Sequence, residues 1–126
     1  MMYRVYDNDK KVWLKDNIYL SPNNELFKIK KSVLGMVKTL LILSQDRYIY
    51  HQDIMLNDKN DTLVYEGDYI LAKVAEDKEV VGLVAYAHEL SSYVILCVDS
   101  DEFYTLGSNV SSEIEVIGNV FDGYKK

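Results

Sequence analysis

Short runs of alternating apolar and polar residues fill the first half of the chain, and clusters of turn-forming residues separate them. The runs YRVY, VWL and NIYLSPNNELFKIK are of this kind. The last contains the turn signal SPNN at 21–24, which predicts a hairpin. The segment 33–43 fits two patterns, since its apolar residues share one face of a helix and also alternate as in a strand. Gly35 and the neighbouring strands favour a strand there.

The second half repeats the strand pattern at even spacing. Five short β-prone segments lie between positions 62 and 121, joined by turn clusters such as AEDKE and SNVSSE. Strands at this spacing predict a small antiparallel barrel. The turn-rich NDKND at 57–61 marks the predicted boundary between an N-terminal β subdomain (1–56) and a C-terminal barrel (57–126). The sequence therefore predicts an all-β protein with little helix.

An acid, a glycine and a second acid interrupt the strand-like run LVYEGDYILAKV at Glu66, Gly67 and Asp68. Glycine within a strand pattern is typical of a bulge or a sharp bend. The first long strand of a five-stranded barrel has to bend for the barrel to close. We therefore predict a corner at Gly67.

The C-terminal run IEVIGNVF is the last β-prone segment, and it closes the predicted barrel. Its alternation continues to position 121 and predicts one regular strand. The residues predicted to face the barrel interior are Ile114, Val116, Gly118 and Val120.

Charge divides the chain into unlike halves. The net charge is −6, but residues 1–62 carry ten basic and eight acidic side chains, whereas residues 63–126 carry four and twelve. The halves therefore have net charges of +2 and −8, and the acidic half repels nucleic-acid phosphates at long range. The basic run at 28–38 is typical of a solvated strand face but also offers a candidate nucleic-acid patch. Its cations are Lys28, Lys30, Lys31 and Lys38.

The single cysteine, Cys97, lies in the apolar run YVILCV and excludes an intramolecular disulfide. We interpret it as a buried, reduced thiol, typical of a cytosolic protein. The N-terminal MMYRVYDNDK is charged and has no apolar signal core, and the run TLLIL is too short to span a bilayer. These features predict a soluble, cytoplasmic protein without a membrane partner.

Three islands occur in a recognisable order: YRVYD at 3–7, DKNDTLVYEGDYI at 58–70 and EVIGNVF at 115–121. They resemble the YopX family of bacteriophage and prophage proteins. The chain departs from the family pattern at Ile54 and Met55, at Asp61, which replaces a turn glycine, and in the missing C-terminal Pro-Glu-Leu tail. The resemblance implies a barrel of SH3-like type, phage or prophage origin in a bacterial host, and no established catalytic activity.

Metal-ligating residue types occur, but not at the required spacing. His51 and His88 are far apart in sequence and Cys97 is the single thiol, so a zinc site is not predicted. The segment DKNDTL at 58–63 begins like a calcium loop but lacks its glycine and its final glutamate, so a turn explains it better. We predict no metal site and no cofactor.

Two arrangements could support catalysis, and neither is complete. Cys97 could act with His88 and Glu89, but its apolar run favours burial of the thiol. Glu66 and Asp68 are two positions apart and would share a strand face as paired carboxylates. A solvated bend explains these two acids more simply, since no further catalytic groups accompany them.

The chain is therefore predicted to be a non-enzymatic binding or regulatory protein that acts through protein–protein contacts or self-association. The alternative is a nucleic-acid-associated protein that uses the basic run at 28–38. The family-motif candidate residues are Tyr65, Glu66, Gly67, Asp68, Ile117, Gly118 and Asn119. The candidate interaction surface, chosen for aromatic and basic side chains, comprises Tyr69, Tyr86, Tyr93, Tyr104, Lys28, Lys30 and Lys31.

Overall fold

A computed structural model describes residues 3–15, 18–20, 25–31, 38–43, 46–106 and 113–125. Within these ranges the regular structure consists of β-strands and one short 3₁₀ helix at His88–Leu90. The prediction of an all-β protein with little helix is confirmed. No helix in the part of the chain that the structure describes has the length and hydropathy needed to cross a membrane.

The strands in the first part of the chain are β1 (Tyr3–Asp7), β2 (Val12–Trp13), β3 (Ile18–Leu20), β4 (Leu26–Lys31), β5 (Lys38–Leu43) and β6 (Tyr48–Asn57). β1 lies between β2 and β6, and β3, β4 and β5 form an antiparallel sheet in that order. Pairing of Leu20 with Leu26 confirms the predicted hairpin, whose turn at 21–24 lies outside the described residues. Of the ambiguous segment, 38–43 is a strand and 33–37 lies outside the described residues.

The remaining strands are β7 (Leu63–Tyr65), β8 (Asp68–Ala75), β9 (Lys78–Ala87), β10 (Ser92–Cys97), β11 (Phe103–Thr105), β12 (Ile114–Asn119) and β13 (Gly123–Tyr124). β7 pairs with the end of β6. The others form a six-stranded antiparallel sheet in the order β11-β10-β9-β8-β12-β13. The chain divides into two compact units, Met2–His51 and Gln52–Lys126, called the first and second units below. This division falls within β6, whereas the sequence placed the boundary after position 56.

Alternate residues of the six-stranded sheet, together with Val64 of β7, build the core of the second unit. The core cluster consists of Val64, Ile70, Ala72, Val84, Ile95 and Ile114, and all of these side chains are buried. Residues of β10 and β11 line the same small cavity, of about 130 Å³, as residues of β8 and β12, so the sheet curls around its core. The curl agrees with a barrel-like arrangement, and the SH3-like type stays a prediction.

The predicted corner at Gly67 is confirmed, but it joins two strands rather than bending one. Glu66 and Gly67 form a turn between β7 and β8, and Gly67 has a φ of +82°. Side-chain-bearing residues rarely adopt this conformation, which explains the glycine. β7 pairs with β6 whereas β8 pairs with β9 and β12, so the corner transfers the chain from one sheet to another.

The prediction of a regular last strand is wrong. β12 ends at Asn119, and a bulge between Val116 and Gly118 shifts its register against β8. Because the bulge inserts one extra residue, Gly118 pairs with Tyr69, on the face opposite the core. Val120 lies in the following turn and is 41% exposed. Ile114, at 1% exposure, occupies the predicted interior position.

Candidate functional site

The corner between β7 and β8 is held by backbone hydrogen bonds to three other segments of the second unit. Glu66 N–H donates to Gln52 O at 3.0 Å, and Gly67 N–H donates to Val84 O at 2.9 Å. The carbonyl of Gly67 accepts the Val120 N–H at 2.9 Å. The corner therefore ties together β6, β9 and the turn after β12.

The buried Asp68 carboxylate stabilises the turn by a hydrogen bond across it. Asp68 is 1% exposed, and its Oδ2 accepts the Tyr65 N–H at 2.8 Å. Asp68 pairs with Asn119 across β8 and β12. The two groups of family-motif residues, distant in sequence, are thus neighbours in the folded chain, and their contacts are structural.

Asp58 fastens the turn before β7 to the last long strand. Its Oδ1 accepts the N–H groups of Asn60 and Thr62 at 2.9 and 2.8 Å, and its Oδ2 accepts the Val116 N–H at 2.9 Å. Burial opposes ionisation of this carboxyl, but the three backbone donors outweigh it and lower its pKa. The calcium-like motif DKNDTL is therefore a turn whose aspartate binds main-chain N–H groups.

The face of the six-stranded sheet opposite the core carries an apolar row to which every strand contributes one residue. Cross-strand pairing joins these residues in order, and directly paired residues project from the same face. The outer row consists of Phe103, Leu96, Leu83, Tyr69, Gly118 and Tyr124. Their chain neighbours Ile70, Val84 and Ile95 belong to the core cluster, so the row lies on the opposite face.

Three members of the outer row are exposed: Phe103 at 53%, Leu96 at 43% and Tyr124 at 41%. The row extends over roughly 24 Å, since neighbouring strands lie about 4.8 Å apart. The rings of Tyr69 and Tyr124 have their centroids 4.7 Å apart. A Cβ atom on Gly118 would lie 2.6 Å from the Tyr124 Cα, so glycine is required for β13 to approach β12.

A second aromatic group lies at one end of the core face. The ring centroids of Tyr86 and Tyr93 are 5.1 Å apart, and those of Tyr86 and His88 are 5.0 Å apart, both edge to face. Burial raises the pKa of the Glu66 carboxyl, and the charge of His88 partly offsets this. Burial and then the Glu66 charge raise the pKa of the Tyr93 hydroxyl. We call Tyr86, Tyr93, His88 and Glu66 the Tyr86 cluster.

Tyr104 belongs to neither surface. Its hydroxyl donates to the Glu102 carboxylate at 2.9 Å, and the Lys78 ammonium lies 5.9 Å from its ring centroid. Lys78 also forms an ion pair with Glu102 at 3.5 Å. The four candidate tyrosines are therefore distributed over three places: Tyr69 in the outer row, Tyr86 and Tyr93 in the Tyr86 cluster, and Tyr104 beside Lys78.

The three candidate lysines lie on one strand of the first unit, next to the strand that begins at Lys38. Lys28, Lys30 and Lys31 are in β4, and Lys31 pairs with Lys38 at the start of β5. The backbone pairing thus brings the basic residues of the run 28–38 together on two adjacent strands, while 32–37 lies outside the described residues.

The first unit contains an ion pair between the buried Asp7 carboxylate and the partly exposed Arg47 side chain, and the sequence did not reveal it. Asp7 is 2% exposed, and Arg47 donates to both of its carboxylate oxygens at 2.9 Å. These hydrogen bonds, against the opposing effect of burial, lower the pKa of Asp7 to about 2. Asp7 also accepts the N–H groups of Asp9 and Lys10 at 3.1 and 3.2 Å. Asp7 thereby fixes the turn between β1 and β2.

His51 lies beside Arg4 and Trp13 in the first unit. The Arg4 guanidinium lies 4.6 Å from the Trp13 ring centroid and 3.3 Å from His51 Nδ1. Burial, with a smaller effect of the Arg4 charge, lowers the pKa of His51 to about 4. His51 is therefore neutral at neutral pH. Among the described residues, no three histidine, cysteine, aspartate or glutamate side chains are grouped closely enough to hold a metal ion.

A family model described as YopX protein matches residues 2–124, almost the entire chain. The chain belongs to the YopX family. No curated protein matches it in sequence.

Two crystal structures are similar in fold. Protein yopX from Bacillus subtilis matches with a TM-score of 0.62 and 14% identity, over 94% of this chain and 91% of that one. Protein EF1440 from Enterococcus faecalis matches with a TM-score of 0.52 and 21% identity, over 94% and 92% of the two chains. At these identities the likeness concerns the fold alone.

For this YopX-family chain, two interpretations of the sequence are wrong. Cys97 is half-buried rather than buried, because it ends β10 at an exposed turn. Glu66 and Asp68 do not share a strand face, because a turn separates them and the Asp68 carboxylate points to Tyr65 N–H.

Sequence reasoning also missed the outer row and two long-range contacts. The outer row includes Leu96, Phe103 and Tyr124, and the alternation of β10 and β11 could have indicated the first two. No local sequence pattern indicates that Arg47 contacts Asp7 or that Val116 contacts Asp58, since these residues are 40 and 58 positions apart.

Proposed function

We propose that this YopX-family chain is a non-enzymatic binding or regulatory protein whose second unit docks a partner protein through the outer row. The observation that carries the proposal is the exposure of Phe103, Leu96 and Tyr124 along one continuous cross-strand row. Contiguous exposed apolar residues are costly in water and are typical of interaction sites. Aromatic side chains are enriched in such interfaces and contribute much of their binding energy.

The charge of the second unit defines the partner. Residues 52–126 carry five basic and fifteen acidic side chains, a net charge of −10. On the outer face, Glu115 pairs with Leu71 and lies near the apolar row, so the acidic character of the unit extends to this face. The partner therefore presents an apolar surface with a basic rim, because this arrangement complements both features.

A phage or prophage gene and a bacterial cytoplasm are the proposed setting. Membership of the YopX family supports this setting, and docking through an apolar row requires no cofactor. A regulatory role follows naturally, since binding alone can occupy or block the surface of a host protein.

The test uses the full chain as bait in bacterial lysate, followed by measurement of binding to each purified candidate. We expect Phe103→Asp and Leu96→Asp to weaken binding roughly a hundredfold, as for central interface residues. Leu90→Asp is the matched control, because Leu90 is 49% exposed but lies outside the outer row. Binding should also weaken as salt concentration rises.

Two results would contradict this proposal. Binding that is insensitive to both outer-row substitutions would place the contact elsewhere. Concentration-dependent dimerisation in sedimentation, abolished by Phe103→Asp, would identify a second copy rather than another protein as the occupant.

The nucleic-acid alternative is supported by the pairing of Lys31 with Lys38 and the neighbouring Lys28 and Lys30. A gel-shift assay with duplex DNA, repeated at several salt concentrations, tests it. Lys31→Glu with Lys38→Glu should abolish binding, because these directly paired residues share a strand face, whereas Lys125→Glu in the second unit should leave it unchanged. An absence of any shift at low salt excludes this role.

A further inference from the structure

The Tyr86 cluster lies where two strands of the second unit extend beyond their neighbour. β8 begins at Asp68, and its first register pair with β9 joins Tyr69 to Leu83. β9 continues to Ala87, paired only with β10 over this stretch of the described sheet. Tyr86 lies in the overhang and is 39% exposed. A ligand can therefore reach this ring from solvent.

Cross-strand pairing fixes the aromatic part of the cluster. Tyr86 pairs directly with Tyr93, so the two side chains project from the same face. Val84, two positions before Tyr86, belongs to the core, which identifies this face as the continuation of the core face. His88 begins the 3₁₀ helix that follows β9, and its ring packs edge to face on Tyr86. The three rings therefore form one continuous aromatic group.

The turn at Glu66 brings its carboxyl group close enough to this aromatic group for its charge to act on Tyr93 and to interact with His88. The backbone of Glu66 is held to Gln52, and the next residue, Gly67, is held to Val84. Glu66 is half-buried, and its charge acts on the Tyr93 hydroxyl. A partly desolvated anion next to tyrosine rings combines two groups that attract cations, since the ring faces carry negative electrostatic potential.

We propose that the Tyr86 cluster binds an organic cation, a guanidinium or ammonium group held between the Glu66 carboxylate and the tyrosine rings. A guanidinium fits best, because it is planar, stacks on aromatic rings and donates two parallel hydrogen bonds to a carboxylate. The net charge of −10 on the second unit attracts cations and repels anions. The site is separate from the outer row, which lies on the opposite face of the sheet.

The test is an NMR titration of the isotope-labelled full chain with N-acetyl-arginine methylamide. We expect saturable shifts of the Tyr86 and Tyr93 ring signals and of the Glu66 amide. Glu66→Gln should weaken binding roughly tenfold or more, because it removes the charge but keeps the shape. Tyr86→Leu should have a similar effect through loss of the cation–π contact.

Glu102→Gln is the matched control, since Glu102 also lies beside a tyrosine but outside the Tyr86 cluster. Its affinity for the probe should equal that of the wild-type chain. Amide spectra of every variant establish that the fold is kept. An absence of saturable shifts, or equal affinity in Glu66→Gln and wild type, overturns the proposal.

A parallel titration with a Gly-Gly-Arg-Gly-Gly peptide amide distinguishes the two sources of the cation. Binding roughly tenfold tighter than the free probe assigns the site to an arginine side chain of a protein. Equal affinity assigns it to a small free cation, and both results support a cation site. The outer-row variants leave the Tyr86 cluster intact. Loss of cation binding therefore tests this inference alone, and loss of partner binding in the outer-row variants tests the proposed docking function alone.

Discussion

The two units both bury aspartates, but they satisfy the carboxylates in different ways. In the first unit, the Arg47 side chain forms a bidentate hydrogen bond with the Asp7 carboxylate. In the second unit, Asp58 accepts three main-chain N–H groups and Asp68 accepts one from Tyr65. The first unit therefore adds an opposite charge to the N–H groups of Asp9 and Lys10, whereas the hydrogen bonds named for Asp58 and Asp68 come from backbone donors.

This difference has consequences for how each unit loses stability. The Asp7 contact depends on ionisation: its stabilisation is complete above pH 3.8, the ordinary pKa, and is lost as the pH falls to about 2. The first unit also contains the half-buried, neutral His51, and protonation of this side chain at low pH opposes folding. The second unit depends on backbone geometry, so we expect substitutions that remove an acceptor or strain a turn to affect it most.

The largest effect is expected for Asp58→Ala. The substitution leaves the N–H groups of Asn60, Thr62 and Val116 without their acceptor, and unfolding free energy should fall by about 3–4 kcal/mol. Urea denaturation of the full chain measures this. Asp101→Ala, an exposed aspartate in another turn, is the control and should be nearly neutral. A loss below about 1 kcal/mol would remove the proposed distinction between the units.

Acid should act on the first unit before the second. The pKa of His51 is lowered from 6.5 to about 4, so between these values the unfolded chain binds a proton that the folded chain does not. The unfolding free energy therefore falls as the pH drops through this range, by roughly 2 kcal/mol, since partial exposure of the ring reduces the effect. Denaturant unfolding of wild type and His51→Gln across the range measures this.

The His51→Gln variant should show a much smaller loss of unfolding free energy in this pH range. Amide exchange resolves the two units and should show protection falling first around β1 and β2. If protection in the six-stranded sheet falls first, the assignment of acid sensitivity to His51 is wrong.

A β-branched residue at the Gly67 corner should lower the free energy of unfolding by roughly 2 kcal/mol. Gly67→Val forces a β-branched side chain to a φ of +82°, at a turn that carries three backbone hydrogen bonds. The matched control is Gly123→Val, because Gly123 has a φ of +76° and open space around it but lies in a two-residue edge strand. Thermal unfolding should show a smaller loss for the control. Equal melting temperatures for Gly67→Val and wild type would contradict the corner's role.

The smallest effect is expected at Asp61. This residue has a φ of +64° and occupies the position where the YopX pattern has glycine. Asp61→Gly relieves the left-handed strain but gains flexibility in the unfolded chain, so stability should rise by less than about 1 kcal/mol. Differential scanning calorimetry of the two proteins measures this. A clear destabilisation would indicate that the contact of Asp61 with Asn57 matters more than the backbone strain.

The sequence by itself determined the elements that depend on local chemistry. Alternation indicated the strands, because a half-buried strand exposes every second side chain. The SPNN signal indicated the hairpin of β3 and β4, and Gly67 indicated a corner, because turns restrict residue type locally. The motif islands at 58–70 and 115–121 indicated the family, since the order of residues is itself the signal.

Only the tertiary structure decided which distant residues meet. Asp7 contacts Arg47, 40 positions away, and Asp58 contacts Val116, 58 positions away. These contacts depend on chain topology, which local sequence patterns do not indicate. The bulge at Ile117 places Gly118 opposite Tyr69. One inserted residue moves each following side chain of the strand to the face opposite the one that alternation predicts. The outer row also depends on tertiary structure. Its six residues are far apart in sequence, and only the pairing of six strands aligns them.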